Sequence, residues 1–332
     1  MALCSRFTCV ASLLLSVATL AGAQSRTQHV GERAVVLHTA TVYVDPDANS
    51  QKVSEVTPGH EVVIVDRSGP WVKVFANTDV EERNRDDEPE FSVEENAVPR
   101  SGWIRNKGVV SGASADGDKL IYGAAASAEA QAAEPHAPKI AAGSAHLLYR
   151  RVAEYFPNSP LGNESTWRSA DIRWQEEKFD SRTLPSYNDP DPNNRPKVYP
   201  EALRKIVKQQ PGTRYAALAA FDLLDAKLCG DWQGLPKCPA LESEVYEKYA
   251  SQYPDGPKTA EALWNAVYRQ GVLVTMYGAE DNKKKSDAAA QHAHVLRDQL
   301  VAKFPQTDYA ARAMSLVYRV EQGIAIYGTD RD

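Results

Sequence analysis

The strongest constraint on the fold of this chain is a proline-centred motif that occurs four times in its second half. Each copy is an amphipathic stretch that ends at a proline, followed by a small polar residue and a second stretch that opens with small side chains. Proline lacks a backbone donor and disfavours helix in the residue before it, so the first stretch should end there. The copies are Glu154-Tyr-Phe-Pro157-Asn-Ser159, Lys208-Gln-Gln-Pro211-Gly-Thr213, Ser251-Gln-Tyr-Pro254-Asp-Gly256 and Ala302-Lys-Phe-Pro305-Gln-Thr307.

The residues nine, five, four and one positions before each proline are mostly apolar. This spacing puts their side chains on one face of a helix. A Ser or Thr two positions after the proline predicts an N-cap for the next helix, with Gly256 in its place in the third copy. The residues five positions before the prolines are Val152, Ile206, Tyr249 and Leu300.

Copies three and four also match further on, where Met276-Tyr-Gly278 parallels Ile326-Tyr-Gly328. A glycine after a last hydrophobic turn predicts that the second helix ends there. The prolines lie 54, 43 and 51 residues apart, farther than the tetratricopeptide repeat of about 34 residues. Residues 145–330 resemble the tetratricopeptide-like helical hairpins of bacterial envelope proteins, including outer-membrane assembly lipoproteins and cell-division coordinators. The resemblance implies stacked hairpins that hold other molecules.

Residues 30–111 have strand-like periodicity, with short β-branched runs separated by turn residues. The landmarks Val42-Tyr-Val44, Pro58-Gly59, Trp71-Val-Lys-Val74 and Gly102-Trp103-Ile104 follow an order that resembles a bacterial SH3 domain. The sequence departs from that family in a long insert, 77–100, which carries nine acidic residues. We expect this insert to be a solvated loop.

The SH3 resemblance implies recognition of cell-wall peptides or of proline-containing or extended protein segments. Tyr43, Trp71 and Trp103 are the aromatic residues that could line such a groove. Trp71 and Trp103 also suit the core of a small barrel, which needs large apolar side chains, and we favour the core for Trp103.

Residues 112–144 are rich in Ala, Gly and Ser. Apart from a short helix over residues 124–133, this composition predicts a linker that lets the two flanking modules move independently. The expected fold class is therefore a multidomain α+β protein. A small SH3-like β-barrel is followed by an all-α, tetratricopeptide-like array of helical hairpins.

Residues 1–23 have the pattern of a secretory signal peptide, with Arg6, a short apolar run and Ala21-Gly22-Ala23 at the predicted cleavage site. We therefore expect a periplasmic or extracellular protein with no transmembrane segment after cleavage. Cys229 and Cys238 are the cysteines that remain, and export makes a disulfide between them plausible. By loop-closure reasoning this disulfide would add about 2–3 kcal/mol.

Residues that could carry chemistry do not form a recognisable site in the sequence. His292 and His294 are two apart on a predicted helix and should face different directions. Asp45-x-Asp47-x-Asn49 and Asp189-x-Asp191-x-Asn193 resemble the start of a calcium loop but lack its later glycine and glutamate. A formal net charge of −6 argues against nucleic acid as a partner. We predict no catalysis, cofactor or metal.

The expected function is that of a non-enzymatic adaptor or scaffold in the bacterial cell envelope. Its helices would bind proteins or peptide segments, and its barrel would bind a second protein or peptidoglycan. Arg269 and Arg319 are the favoured docking residues on the helices, whereas Trp264, Tyr268 and Tyr318 suit either docking or the core. The alternative is a peptidoglycan-targeting regulator or accessory subunit of a cell-wall enzyme. A third, weaker alternative is an enzyme with an unrecognised site.

Overall fold

The chain folds into one antiparallel sheet followed by a series of helices, and its structure is a computed structural model. The predicted signal peptide, residues 80–99 of the acidic insert and the Asp189 motif lie outside the residues described. The structure describes residues 31–79, 100–188, 194, 196, 198, 200–229 and 232–328.

Seven strands form the sheet in the order β3-β2-β6-β5-β4-β1-β7, and every neighbouring pair is antiparallel. The predicted runs of β-branched residues lie at or within these strands, so the mixed α+β class is confirmed. The strands are β1 (Glu32–Val36), β2 (Ala40–Tyr43), β3 (Lys52–Val56), β4 (Glu61–Ser68), β5 (Trp71–Ala76), β6 (Arg100–Arg105) and β7 (Val109–Ser111).

One face of the sheet forms a core because buried residues alternate with outward-facing ones along each strand. Val42, Val72, Val74 and Ile104 are all fully buried in this core. Gly102 lets β6 approach β2 closely, since a Cβ atom at this position would lie 2.5 Å from Val42 Cγ1. The Gly-Trp-Ile motif therefore places a glycine where two strands meet.

The described residues after the sheet form nine α-helices, and each motif proline lies in a turn between two of them. The helices are α1 (Gly117–Ala132), α2 (Ala141–Tyr155), α3 (Gly162–Thr183), α4 (Glu201–Gln209), α5 (Arg214–Asp222), α6 (Lys237–Gln252), α7 (Thr259–Ala279), α8 (Lys283–Lys303) and α9 (Asp308–Glu321).

The local rules of the motif hold in most copies. All four residues five positions before the prolines are buried. Thr213 and Thr307 cap α5 and α9, where each side-chain oxygen accepts a hydrogen bond from the backbone N–H three residues later. Ser159 does not cap α3; its hydroxyl donates to Asp118 on α1 instead. The third copy of the motif joins α6 to α7 (hairpin three), and the fourth joins α8 to α9 (hairpin four). Helix α7 packs against α6, α8 and α9, so these two hairpins form one helical layer.

The expected linker 112–144 is instead largely helical. Helix α1 is longer than the predicted segment 124–133, and it packs along α2. Ile121 and Ala125 of α1 are fully buried in one cluster with residues of the sheet and of α2. The sheet and the helices therefore share a core, because α1 fills the space between them. The buried members of this cluster are Val35, Val110, Ile121, Ala125, Leu148, Tyr149 and Val152.

A buried charge network closes the same junction. The guanidinium of Arg151, on α2, donates to Asp79 at 2.5 Å, to Glu154 at 2.6 Å and to the backbone oxygen of Gly59 at 3.2 Å. Asp79 also contacts His60 at 3.3 Å and accepts a hydrogen bond from a backbone N–H of β4. Arg151 and Glu154 belong to α2, whereas Gly59, His60 and Asp79 flank strands of the sheet, so this network ties the two parts together.

The matching ends of copies three and four adopt different structures, contrary to the sequence prediction. Met276-Tyr-Gly278 lies inside α7, which continues to Ala279. Ile326-Tyr-Gly328 follows the end of α9 as a non-helical tail. The cause is Gly323, which lies five residues before Gly328. Its positive φ of 68° is not helical, so α9 ends before it.

Gly59 generates a stability prediction because it has a positive φ of 92° and abuts α2, where an added Cβ would lie 2.6 Å from Leu147 Cβ. Gly59→Ala should lower the free energy of unfolding by about 2–4 kcal/mol, from left-handed backbone strain together with overpacking. Gly69→Ala is the matched control, since Gly69 has φ 56° and open space around it. It should cost about 1 kcal/mol. Equal losses in urea unfolding would contradict the packing role of Gly59.

Asp79 generates a pH prediction. Burial raises its pKa, but the hydrogen bond and charge of His60 and the charge of Arg151 outweigh burial and bring the pKa from 3.8 down to about 2. A depressed carboxyl pKa stabilises the fold above the unfolded-state value, and this contribution is lost as pH falls from about 4 to about 2. Asp79→Asn should therefore flatten the loss of stability in that window and cost about 3 kcal/mol at pH 7.

The control for this prediction is Asp66→Asn, which changes an exposed carboxylate on β4. It should alter the free energy of unfolding by less than about 0.5 kcal/mol at pH 7. An unchanged acid limb in the Asp79→Asn stability profile would show that the junction does not hold this carboxylate ionised.

Candidate binding surfaces

The three aromatic residues singled out in the sequence come together on the outer face of the sheet. Tyr43 on β2 lies directly opposite Trp103 on β6 in the strand register. The ring of Trp71 on β5 meets the ring of Tyr43 edge-on, with centroids 5.6 Å apart. We call Tyr43, Trp71 and Trp103 the aromatic face.

Exposure differs among these rings. Trp71 is only 5 % exposed, because the guanidinium of Arg105 lies 4.0 Å above its ring and Tyr43 lies at its edge. Tyr43 and Trp103 are half-buried and reach solvent. The core position expected for Trp103 is taken by its neighbour Ile104, which points to the opposite side of β6.

Cationic side chains flank the aromatic face. Lys73 lies opposite Trp103 on the neighbouring strand, and Lys52 lies opposite Tyr43. An aromatic surface bordered by cations can stack against flat or apolar groups and attract carboxylates. Asp66 lies opposite Lys73 and moderates the positive charge at one edge.

A groove runs between α6 and α8, the first helices of hairpins three and four. Its volume is about 670 Å³. The base is apolar, with Ala250, Leu263 and Leu296 buried, while Val295 is 44 % exposed at its edge. The groove is lined by Glu247, Lys248, Ala250, Ser251, Pro254, Thr259, Leu263, His292, Val295, Leu296, Gln299 and Lys303.

Charged pairs border this groove. Glu247 and His292 connect α6 to α8 across 3.0 Å. Lys303, near the end of α8, pairs with Asp255 at 2.9 Å in the turn after α6. The groove thus combines an apolar base with a polar rim, which suits a segment that buries apolar side chains and is oriented by polar contacts.

The sequence interpretation placed docking residues on the second helices, α7 and α9, and missed this groove on the first helices. One signal was available. Val295 lies ten positions before its proline, outside the buried positions at nine and five. An apolar residue beside the buried stripe, followed by Gln299 and Lys303 on the same side, indicates a partly exposed apolar strip.

Arg269, one of the two predicted docking residues, is fully buried. It donates to Glu242 at 2.8 Å, and its guanidinium lies 4.5 Å from the ring centre of Tyr246 and 5.7 Å from that of Trp232. A partner cannot reach this side chain, so the prediction that Arg269 is a docking residue is wrong. Its role is to stabilise the fold through the buried ion pair with Glu242.

Arg319, the equivalent residue in copy four, is exposed on α9. The physical reason for the difference lies twelve positions before the prolines. Copy three has Glu242 there, whereas copy four has Ala293, which gives Arg319 no carboxylate to bury against. Arg319 therefore remains available to a partner.

Cys229 and Cys238 lie at disulfide distance, with Cα atoms 5.9 Å apart, as the sequence predicted. The backbone N–H of Cys229 donates to Glu242 at 2.8 Å, and Trp232 from the same loop is buried. The loop closed by the cysteines therefore covers the Glu242–Arg269 ion pair.

The polar residues considered as metal ligands face separate neighbours. His292 contacts Glu247 on α6, while His294 lies 3.5 Å from Glu321 on α9. Asp47 accepts a hydrogen bond from the backbone of Asn49 within a turn. Within the described ranges, no group of three or more His, Cys, Asp or Glu side chains is arranged to hold a metal ion.

Asp222 on α5 is a titratable group that the sequence did not single out. Burial raises its pKa to about 7, and the negative charges of Asp171 and Asp225 add to the shift. The indole N–H of Trp167 donates to its carboxylate at 3.4 Å. This carboxyl lies at a place separate from the lining of the groove.

No protein-family model matches this chain, and no curated protein matches it either. Of the helices in the described part of the chain, none has the length and apolar character needed to cross a membrane.

The contrast between the two arginines generates a prediction. Arg269→Met should lower the free energy of unfolding by about 3–5 kcal/mol, because it leaves the carboxylate of Glu242 buried without its cation. Arg319→Met, the same change at an exposed site, should stay within about 0.5 kcal/mol of the wild type. Chemical denaturation of both variants measures the difference. Similar stabilities would contradict the structural role of the buried ion pair.

Proposed function

We propose that the protein is a non-enzymatic adaptor of the bacterial cell envelope, which binds a segment of a partner protein in the groove between α6 and α8. The observation that carries this proposal is the groove itself, with its apolar base and its charged rim. Partner side chains would be buried against Leu263 and Leu296, and polar contacts with Gln299 and Lys303 would fix the register.

The aromatic face is proposed as the second binding surface of the adaptor. Its accessible rings, Tyr43 and Trp103, lie on the sheet and not on the helices, so both surfaces can be occupied at once. The order of landmarks that resembles a bacterial SH3 domain supports a protein segment or peptidoglycan as the ligand.

Export fits this function. The signal-peptide pattern over residues 1–23 would direct the chain out of the cytoplasm, and a disulfide between Cys229 and Cys238 is compatible with an oxidising compartment. The loop that this disulfide closes supports the hairpin that forms one side of the groove.

The alternative function is that of a peptidoglycan-targeting regulator or accessory subunit of a cell-wall enzyme. The proximity of Tyr43 and Trp103 on one face, with Trp71 packed at the edge of Tyr43, favours it specifically, since accessible aromatic rings can stack on sugars and peptides. Co-sedimentation of the mature chain with purified sacculi separates the two. Binding that Trp103→Ala abolishes would support wall targeting, and no binding would support the adaptor.

Site-specific photo-crosslinking tests the groove. A benzophenone amino acid at Val295, 44 % exposed in the groove, should capture a discrete envelope protein when cells are irradiated. The same group at Leu241, 45 % exposed on α6 but outside the groove lining, is the matched control and should not. Val295→Glu should also reduce recovery of that partner by at least about tenfold, the equivalent of ~1.4 kcal/mol.

Two results would contradict this proposal. One is equal crosslinking at both positions, and the other is a captured protein that binds Val295→Glu as well as the wild type. Circular dichroism of each variant confirms that the helices are retained.

A further inference from the structure

Helix α9 carries apolar side chains on both of its sides. Its inner side packs against α7 and α8, and its buried residues are Ala310, Ala313, Leu316 and Val317. The outer side exposes Met314, whose exposed fraction is 52 %, and Tyr318, whose exposed fraction is 59 %. Spacings of three, four and seven residues place four exposed residues on one face of the helix. We call this surface the α9 face, which consists of Ala311, Met314, Ser315 and Tyr318.

The equivalent residues of the third copy are partly covered by the chain itself. At the offset of 50 residues that aligns the ends of copies three and four, Met314 corresponds to Trp264 and Tyr318 to Tyr268. Trp264 and Tyr268 are half-buried and pack against the core of hairpins three and four. The α9 face thus repeats a surface that the array covers once and leaves exposed once, and exposed neighbouring apolar side chains are typical of an interaction surface.

The α9 face is complementary in shape to a second α9 that runs antiparallel to it. Small and large side chains alternate along the face, in the order Ala311, Met314, Ser315 and Tyr318. A two-fold axis between Met314 and Ser315 sets Met314 of one copy beside Ser315 of the second copy, and Tyr318 beside Ala311. Each large side chain then meets a small one, so the two helices can pack ridge into groove.

Charged side chains flank the face in an order that is also complementary to itself. Asp308 and Arg319 are eleven residues apart, which puts them three turns apart along one side of the helix. Two-fold symmetry brings these sides together, so Asp308 of each copy lies near Arg319 of the other. Asp308 pairs with Arg312 at 2.8 Å, and its carboxylate can accept further hydrogen bonds. Arg319 is exposed and has no carboxylate partner among the residues that the structure describes.

We propose that the protein forms a homodimer in which two copies of α9 pack antiparallel through the α9 face. A second copy is favoured as the occupant because one helix supplies both halves of every match in size and in charge. The contact goes beyond the proposed adaptor function and does not depend on it, since the lining of the groove between α6 and α8 contains no residue of α9. One helix pair buries less than a standard interface, so the dimer should be weak, with a Kd of about 10–100 μM.

Sedimentation equilibrium of residues 24–332 measures this association. Met314→Glu and Tyr318→Glu should each raise the dimer Kd at least about tenfold, because each puts two unpaired charges into an apolar contact. Leu241→Glu is the matched control, since Leu241 is 45 % exposed on α6, and it should leave the Kd unchanged. Circular dichroism checks that each variant keeps its helices.

Charge reversal tests the predicted ion pairs. Arg319→Glu should weaken the dimer at least about fivefold, because it brings two acidic groups together at both ends of the contact. Adding Asp308→Arg to Arg319→Glu restores opposite charges and should return the Kd to within about threefold of the wild type. A double variant as weak as Arg319→Glu alone would overturn the antiparallel pairing.

Disulfide crosslinking tests the position of the two-fold axis. Ser315→Cys lies beside the axis and should form a covalent dimer under mild oxidation. Gln322→Cys is the matched control on the same side of the helix, because two turns from the axis it is more than about 20 Å from its own copy. Equal crosslinking at both positions would indicate parallel helices and contradict the proposal.

Two further results would overturn the homodimer. One is a chain that stays monomeric up to about 500 μM, and the other is an association that Met314→Glu and Tyr318→Glu leave unchanged. Failure here is distinguishable from failure of the adaptor function, which is tested by crosslinking at Val295 on α8. A monomer that still captures a partner at Val295 would retain the adaptor and remove only the dimer.

Discussion

Arg151 brings a positive charge into the junction between the sheet and the helices, where almost no solvent reaches it. A buried cation is tolerated only when carboxylates and carbonyl oxygens surround it. Asp79 and Glu154 supply the charge, and the carbonyl of Gly59 completes the set. Because these groups come from both parts of the molecule, the fold can satisfy Arg151 only when the sheet is docked on α2.

This constraint shapes the proposed function. A flexible linker would let the sheet and the helical hairpins bind their ligands independently. Docked through Arg151 and through the core that includes Ile121 of α1, the sheet instead keeps a defined position relative to α2. The proposed adaptor would therefore hold the ligand of its aromatic face at a defined place beside the first helix pair.

The sequence predicted the features that local chemistry determines and missed those that depend on distant partners. A proline disfavours helix in the residue before it, so the four motif prolines predicted where the first helix of each pair ends. Asp79, by contrast, is 72 residues from Arg151 and opens an acidic insert that reads as a solvated loop. Arg269 and Arg319 share the same local sequence, yet one is buried and the other exposed. Residues 326–328 likewise resemble the end of a helix in the sequence. Gly323 ends α9 before them, so they form a non-helical tail.

Differential scanning calorimetry of residues 24–332 tests most directly whether the sheet and the helices form one cooperative body. One cooperative body should give a single unfolding transition at pH 7, with a calorimetric enthalpy equal to the van't Hoff enthalpy. Two separate transitions, one for the sheet and one for the helices, would contradict it, because a junction sealed by a buried cation cannot open without destabilising both sides.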